Sequence, residues 1–255
     1  MQSIKKIHRN CLKHVNPIIE KKDWENSNDN YGLPSHAYPL INLPIDNKLT
    51  YADLLSYLSN FYITKKIKYV EIGVSVLKTF FQISNSLTNS ELYAYDINEI
   101  NPVVERKYEK LNSIDNIKVY KYNNNNIHYF RGDIFNDKQL NNFEKYLSGK
   151  VNVIFSDAHH SGEGLKNEYD KLIKNVLDDE FILYYDDLEN VNMRNIFFQI
   201  GEEEKKKNKN IQIALLKINS WLGSHQHQHL NGIITTLDLK TILKNDNISL
   251  PIDFF

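Results

Sequence analysis

One cysteine stands in a chain of 255 residues, and nowhere does an apolar run approach the length of a membrane span. Cys11 alone excludes an internal disulfide framework and any multi-cysteine zinc site, and such sparse cysteine fits a reducing compartment. Charge of one sign is missing too. Lys plus Arg number 31 against 32 Asp plus Glu, a net charge of -1 that leaves no electrostatic excess to invite nucleic acid or an anionic membrane. The opening MQSIKKIHRNCLKH has basic residues without the apolar segment of a signal peptide behind them. A soluble, cytoplasmic protein without nucleic-acid or membrane partners is expected, and a homo-oligomer stays open. Glycine is scarce, with nine in the chain, and after Gly73 the sequence reads VSVLKT. No G-x-G-x-x-G loop forms there, which argues against a nicotinamide enzyme.

What is present is an alternation of short β-rich runs and helical periods, in a chain long enough for one large domain. Residues 1–48 read as an irregular arm packed on that domain, interrupted by Pro17, Pro34, Pro39, Pro44 and the run ENSNDNYG. Residues 49–255 form the domain. Thr50 is placed to cap a helix in which Leu54, Leu55, Leu58 and Phe61 recur at helical spacing. Strands are predicted over 67–73, 91–97, 127–135, 151–157 and 180–187, with helices between them, including one over 101–111 that begins near Pro102. The run of Asn at 123–126 reads as a tolerated loop. This order implies an α/β fold with a doubly wound, mostly parallel sheet. Near the end, IQIALLKINSWLG and NGIITTLDL follow with no helix between them, so an antiparallel hairpin at the sheet edge is expected.

In such a sheet, ligands gather beyond the carboxyl ends of the strands. Glu71, Asp96, Asp133, Asp157, Asp186 and Asp187 all fall at those ends. Asp96 suits a ribose diol, or else caps the next helix; Asp133 suits an adenine amino group, or else is a cap. The stretch VNVIFSDAHHSGEG runs from a buried strand into Asp157, His159, His160 and Ser161. Asp157 is separated from Asp186 and Asp187 by one helix and one strand, which places three carboxylates at adjacent strand ends. Such a trio repels itself unless a cation or proton compensates, and oxygen ligands favour Mg²⁺, Ca²⁺ or Mn²⁺ over zinc. Asp187 as a helix cap beside a surface Asp186 is the plainer alternative. His160 begins the following helix and leans over the same cleft, where a neutral imidazole can take a proton from a substrate hydroxyl; His159 is read as pointing elsewhere. The run HQHQH (His225, His227, His229) could face one side of a strand as a transition-metal site, but its place in a hairpin loop without nearby acids favours surface or substrate-edge histidines.

Taken in order, YVEIGVSVLKT, AYDI, FRGDIF, FSDAHHSGEG and YYDD resemble the class I S-adenosylmethionine-dependent methyltransferases. Within them, the set is similar to the metal-dependent sugar O-methyltransferases of the macrolide-tailoring type. The resemblance covers about residues 49–240. It implies a seven-stranded Rossmann-like sheet, S-adenosylmethionine as cofactor, a divalent metal such as Mg²⁺, and a small-molecule or sugar acceptor. On its motifs, Glu71 and Gly73 lie at the methionine portion of the cofactor, Asp96 at the ribose and Asp133 at the adenine. Asp157, Asp186 and Asp187 take the metal, and His160 is the general base. The family's second glycine is Leu77 here, whose side chain would crowd the methionyl carboxylate, and the family's Tyr before E-G is Gly162. Two other readings stay open: a catalytically silent methyltransferase-like module, and a metal-dependent hydroxylase.

Overall fold

The computed structural model describes residues 1–15, 47–147, 149–220 and 228–255. Its first element is helix α1 (Gln2–Val15), where the sequence reads as irregular; residues 16–46, with the four arm prolines, lie outside the described part. Ile4, His8, Cys11 and Leu12 make one buried stripe of α1 at helical spacing. That stripe packs against α2 (Tyr51–Tyr62) and α3 (Lys78–Ser86). Burial pushes the Cys11 thiol up to about 12, so it is no nucleophile at neutral pH.

Thr50 caps α2 as the sequence predicts, through a reciprocal capping box. The Asp53 N–H donates to Thr50 Oγ1 at 3.2 Å and the Thr50 N–H donates to Asp53 Oδ2 at 3.0 Å. Asp53 is fully buried, and α1 meets it there. Arg9 donates to both carboxylate oxygens at 2.7 Å, and His8 Nδ1 lies 2.8 Å from Oδ1. Burial alone would raise this carboxyl, but the His8 hydrogen bond and the Arg9 charge outweigh it and hold Asp53 below the usual range.

Ten strands form one sheet in the order β10-β8-β9-β7-β6-β1-β2-β5-β4-β3. Its centre is parallel: β1 (Lys68–Ile72), β2 (Glu91–Asp96), β5 (Asn125–Arg131), β6 (Val151–Ser156) and β7 (Leu177–Tyr185). The middle strands read as unbroken apolar runs because both faces are covered. On one face lie α2, α3 and α8 (Leu239–Asn245). On the other lie α5 (Asp137–Leu147), α6 and α7 (Val191–Lys207). Helix α6 starts at Gly162–Glu168, passes through a π-helical turn over Tyr169–Ile173 and closes at Lys174–Val176. This is the doubly wound, Rossmann-like sheet that the sequence implies, with three strands more than the expected seven. No helix among the described residues is long and apolar enough to cross a membrane.

Two further segments differ from expectation. The helix predicted over 101–111 is a single turn, α4 (Pro102–Glu105), and the chain then forms β3 (Glu109–Ile114) and β4 (Ile117–Tyr122), an antiparallel meander into β5. Asn123 and Asn124 make the β4–β5 turn with φ of 49° and 61°, the left-handed pair that a two-residue hairpin requires and that Asn tolerates. Asn125 is buried and donates to the carbonyls of Ser84 (3.0 Å) and Leu87 (2.8 Å). The Asn run is therefore a structural device rather than a tolerated loop. At the other end, β8 (Gln212–Asn219) and β9 (Gln228–Thr235) pair antiparallel as expected. They are not an edge hairpin: β9 is inserted between β7 and β8, and β10 (Ile252–Phe254) takes the edge.

Candidate functional site

The ladder of the central strands runs one residue past their ends. Gly73 N–H donates to Tyr95 O (2.8 Å), Asp157 N–H to Ile72 O (2.8 Å), Gly132 N–H to Asp96 O (2.7 Å) and Asp186 N–H to Ser156 O (3.2 Å). These bonds fix the exits of five strands side by side. Gly73 has φ of +82°, and a Cβ there would lie 2.4 Å from both Ala158 Cα and Asp157 O. Its glycine identity is thus set by the backbone that carries Asp157.

The acids predicted on the cofactor side take different places. Glu71 is 1% exposed, accepts from Tyr69 OH at 2.5 Å, and burial pushes its carboxyl well above the usual range. Asp96 clamps the exit loop of β1: Oδ2 accepts from Val74 N (2.8 Å) and Ser75 N (3.0 Å), and Oδ1 from Asn98 N (2.8 Å). Burial raises its carboxyl in spite of these three bonds. Asp133 shapes the turn before α5, with Oδ1 accepting from Phe135 N at 2.9 Å and its own N–H donating to Gln139 Oε1 at 2.7 Å. Beside these acids, Ile97 after β2 and Phe135 after β5 are 59% and 44% exposed. Leu77 differs from expectation. Its φ is +65°, a left-handed backbone that favours glycine, but its side chain is fully buried in the core cluster that includes Val74, Val76 and Phe80.

At the exits of β6 and β7 the structure brings together Asp157, His160, Asp186 and Asp187. His160 Nε2 lies 3.1 Å from Asp157 Oδ1, and its Nδ1 lies 3.5 Å from Asp187 Oδ2. His159 turns away, pairing with Ser161 Oγ at 2.8 Å and meeting the Phe135 ring edge-on at 5.0 Å. The three aspartates do not form a single set. Potential ligand atoms lie within 4.8 Å of one another in two overlapping triads, Asp157–His160–Asp187 and Asp186–Asp187–His229.

Asn231 is a member that the sequence did not reveal, and His229 is one that the sequence named but placed away from the acids. His229 Nδ1 lies 2.5 Å from Asp187 Oδ1 and 3.7 Å from Asp186 Oδ1. Asn231 Nδ2 donates to Asp186 Oδ1, and Asn231 Oδ1 accepts from Tyr184 OH at 2.9 Å. The expectation that the histidine run lacks nearby acids fails at His229; His225 and His227 lie outside the described residues. The signal was the i, i+2 spacing of His229 and Asn231 on a strand.

Charge in this cluster is shared between acids and imidazoles. Burial pushes Asp157 up and, with the Asp157 and Asp187 charges, pushes Asp186 well up. Burial acts on Asp187 too, but the His229 hydrogen bond and the two imidazole charges draw it below the usual range. The Asp157 hydrogen bond lifts His160 to about 9. His229, pushed down by burial but held by Asp187 and Asp186, also reaches about 9. Both imidazoles are thus drawn toward their charged form by the neighbouring carboxylates.

No protein-family model matches the chain, and none of the curated proteins matches it. Some solved structures do. Fibrillarin from Aeropyrum pernix with bound S-adenosyl-L-methionine aligns with a TM-score of 0.45 at 10% identity, over 71% of this chain and 73% of that one. The plantazolicin methyltransferase BpumL in complex with SAH aligns with a TM-score of 0.48 at 13% identity, over 92% of this chain and 98% of that one. Spermidine synthase from Thermotoga maritima gives 0.42 at 11% identity, over 74% of this chain and 60% of that one. These likenesses are distant and include enzymes of different activity, so function is argued below from the strand ends themselves.

Proposed function

We propose that the chain is an S-adenosylmethionine-dependent methyltransferase that methylates a hydroxyl of a small molecule or sugar with the help of a divalent cation. The observation that carries this reading is the convergence of Asp157, His160 and Asp187 at the same strand ends where Asp96 clamps the exit loop of β1. On the cofactor side, the backbone from Gly73 to Ser75 lines the exit, and Asp96 and Asp133 border it with their carboxylates. Ile97 and Phe135 offer exposed apolar faces at neighbouring strand ends, suited to a flat base.

The donor set fits a hard divalent cation: carboxylate oxygens from Asp157 and Asp187, with Asp186 behind them. When bound, such an ion supplies a Lewis acid that lowers the pKa of an acceptor hydroxyl. His160, whose side chain is 54% exposed, lies just before α6 beside Asp157. It serves as base only in its neutral form, which requires that its ion pairs with Asp157 and Asp187 be loosened. His160 would take the hydroxyl proton on the imidazole nitrogen so released, and S-adenosylmethionine, held at the Gly73–Ser75 exit, would supply the methyl group.

Calorimetry with S-adenosylmethionine, with and without Mg²⁺, tests the reading. Binding of the cofactor by the wild-type chain is expected, and its absence even at millimolar cofactor would sink the assignment. Asp157→Asn should weaken Mg²⁺ binding and turnover while cofactor binding stays near wild type. His160→Ala should slow the reaction by about 10² to 10⁴ with metal binding preserved.

A further inference from the structure

The geometry points to Glu168 as a positioning residue: through Ser156, it fixes the exit at which β6 delivers Asp157 to the site. This role rests on the cation-assisted reading above, in which Asp157 is a ligand. Glu168 lies in the first part of α6 and is fully buried. Ser156, the buried last residue of β6, donates from Oγ to Glu168 Oε2 at 2.6 Å. The Ser156 carbonyl accepts from the Asp186 N–H at 3.2 Å. Ser156 is thus held by side chain and backbone together, one residue before Asp157, and it pairs in register with Tyr185, one residue before Asp186.

What surrounds the acid suits its neutral form. Glu168 Oε1 and Tyr185 OH are both buried without a hydrogen-bond partner, and a carboxylate with one donor and a bare oxygen is costly in such a place. Burial pushes Glu168 up to about 8 against the Ser156 bond, with the Asp157 charge adding to the rise and His160 opposing it. Its charge also reaches Tyr95 on β2 and Tyr185 on β7, phenols that burial keeps neutral. Leu165, Tyr169, Leu172 and Ile173 already give α6 an apolar seat, so an acid among them adds direction rather than burial. The π-helical turn begins at the next residue, a feature that recurs at functional sites.

The test follows the Ser156 and Asp157 amides and the glutamate carboxyl carbons by NMR as pH rises. Calorimetry of Mg²⁺ and S-adenosylmethionine binding accompanies it, on wild type, Glu168→Gln, Glu168→Ala and Ser156→Ala. Ionisation of Glu168 should move both amides with a midpoint of about 8. That component should vanish in Glu168→Gln, which keeps a neutral acceptor of the same shape, while the movement due to His160 at about 9 remains. Glu168→Gln should bind Mg²⁺ as wild type does. Glu168→Ala and Ser156→Ala should bind it about 10-fold more weakly, the lower end of losses for outer supports of a metal site, with S-adenosylmethionine affinity unchanged. A Glu168 midpoint at the ordinary carboxylate value, amides that ignore it, or wild-type Mg²⁺ affinity in Ser156→Ala overturns the positioning role. So does Mg²⁺ affinity lost equally in the Gln and Ala variants. A wild-type chain that binds no Mg²⁺ strikes the cation-assisted reading instead, and the amide titration then decides the Glu168–Ser156 link by itself. If Glu168→Ala fails to fold, Ser156→Ala and the wild-type titration decide.

Discussion

Leu77 combines two opposed effects, and their magnitudes predict an unusual order of stabilities. Its backbone is left-handed at φ +65°, which costs an L-residue with a Cβ about 1–2 kcal/mol. Its side chain is fully buried in the core, and truncating such a leucine to Ala costs about 2–5 kcal/mol. Leu77→Ala keeps the backbone strain and loses the packing. Leu77→Gly loses the packing but relieves the strain, which offsets the lost methyl and the extra chain entropy of about 0.5–1 kcal/mol. Both variants should therefore be less stable than wild type, by about 2–4 kcal/mol, with Gly no worse than Ala. In an ordinary helix, Gly would be worse by about 1 kcal/mol. Urea unfolding followed by circular dichroism measures all three. A Leu77→Gly protein as stable as wild type would refute the core placement, and an Ala variant clearly more stable than Gly would refute the left-handed backbone. Cofactor affinity of folded Leu77→Gly should match wild type, since the side chain does not enter the cleft.

At Gly73 a Cβ meets backbone rather than a flexible side chain, so Gly73→Ala should lose about 2–5 kcal/mol and shift Asp157, detected as lower stability together with weaker Mg²⁺ binding. Asp53, held below the usual carboxylate range, contributes stability that is present above the unfolded value near pH ~3.9 and is lost as pH falls through its native value. Asp53→Asn should lose that acid-dependent contribution and break the buried ion pair with Arg9, costing about 3–5 kcal/mol at neutral pH; denaturation curves of both proteins from acid to neutral pH compare the slopes. For His160 the sign is opposite. In metal-free protein its ion pair is complete below about pH 6.5 and is lost as pH rises through about 9. Histidine NMR should show that high midpoint falling in Asp157→Asn, and a wild-type midpoint near the unperturbed value would contradict the ion pair.

The parallel centre of the sheet was legible because strands covered on both faces must be apolar throughout, as in VNVIFS and FILYY. The β3–β4 meander was not. Every residue of β3 is exposed, so burial writes no pattern there, and VVERKYEKL behind Pro102 is equally compatible with a helix; the signal was the Asn pair of the β4–β5 turn. In the site, Asp157, Asp186, Asp187 and His160 could be found because strand exits are local features. His229 could not, since it reaches Asp187 only because β9 pairs beside β7, with Gly232 opposite Tyr185. Placing that hairpin at the edge moved the histidine away from every acid. Nor does the sequence show that backbone amides already occupy Asp96, because that depends on how the β1 exit folds back over β2.

Asp53 belongs at once to the start of α2 and to the docking of α1, and this ties the opening of one element to the fraying of the other. If α1 swings out, the carboxylate loses Arg9 and His8 and is left charged beneath the helix it caps. Water must then enter, and the first turn of α2 becomes the cheapest place for it to do so. The two helices should therefore exchange their amide protons as one cooperative unit: protection in the first turn of α2 should fall in step with protection along α1, while the last turn of α2 keeps its own, slower rate.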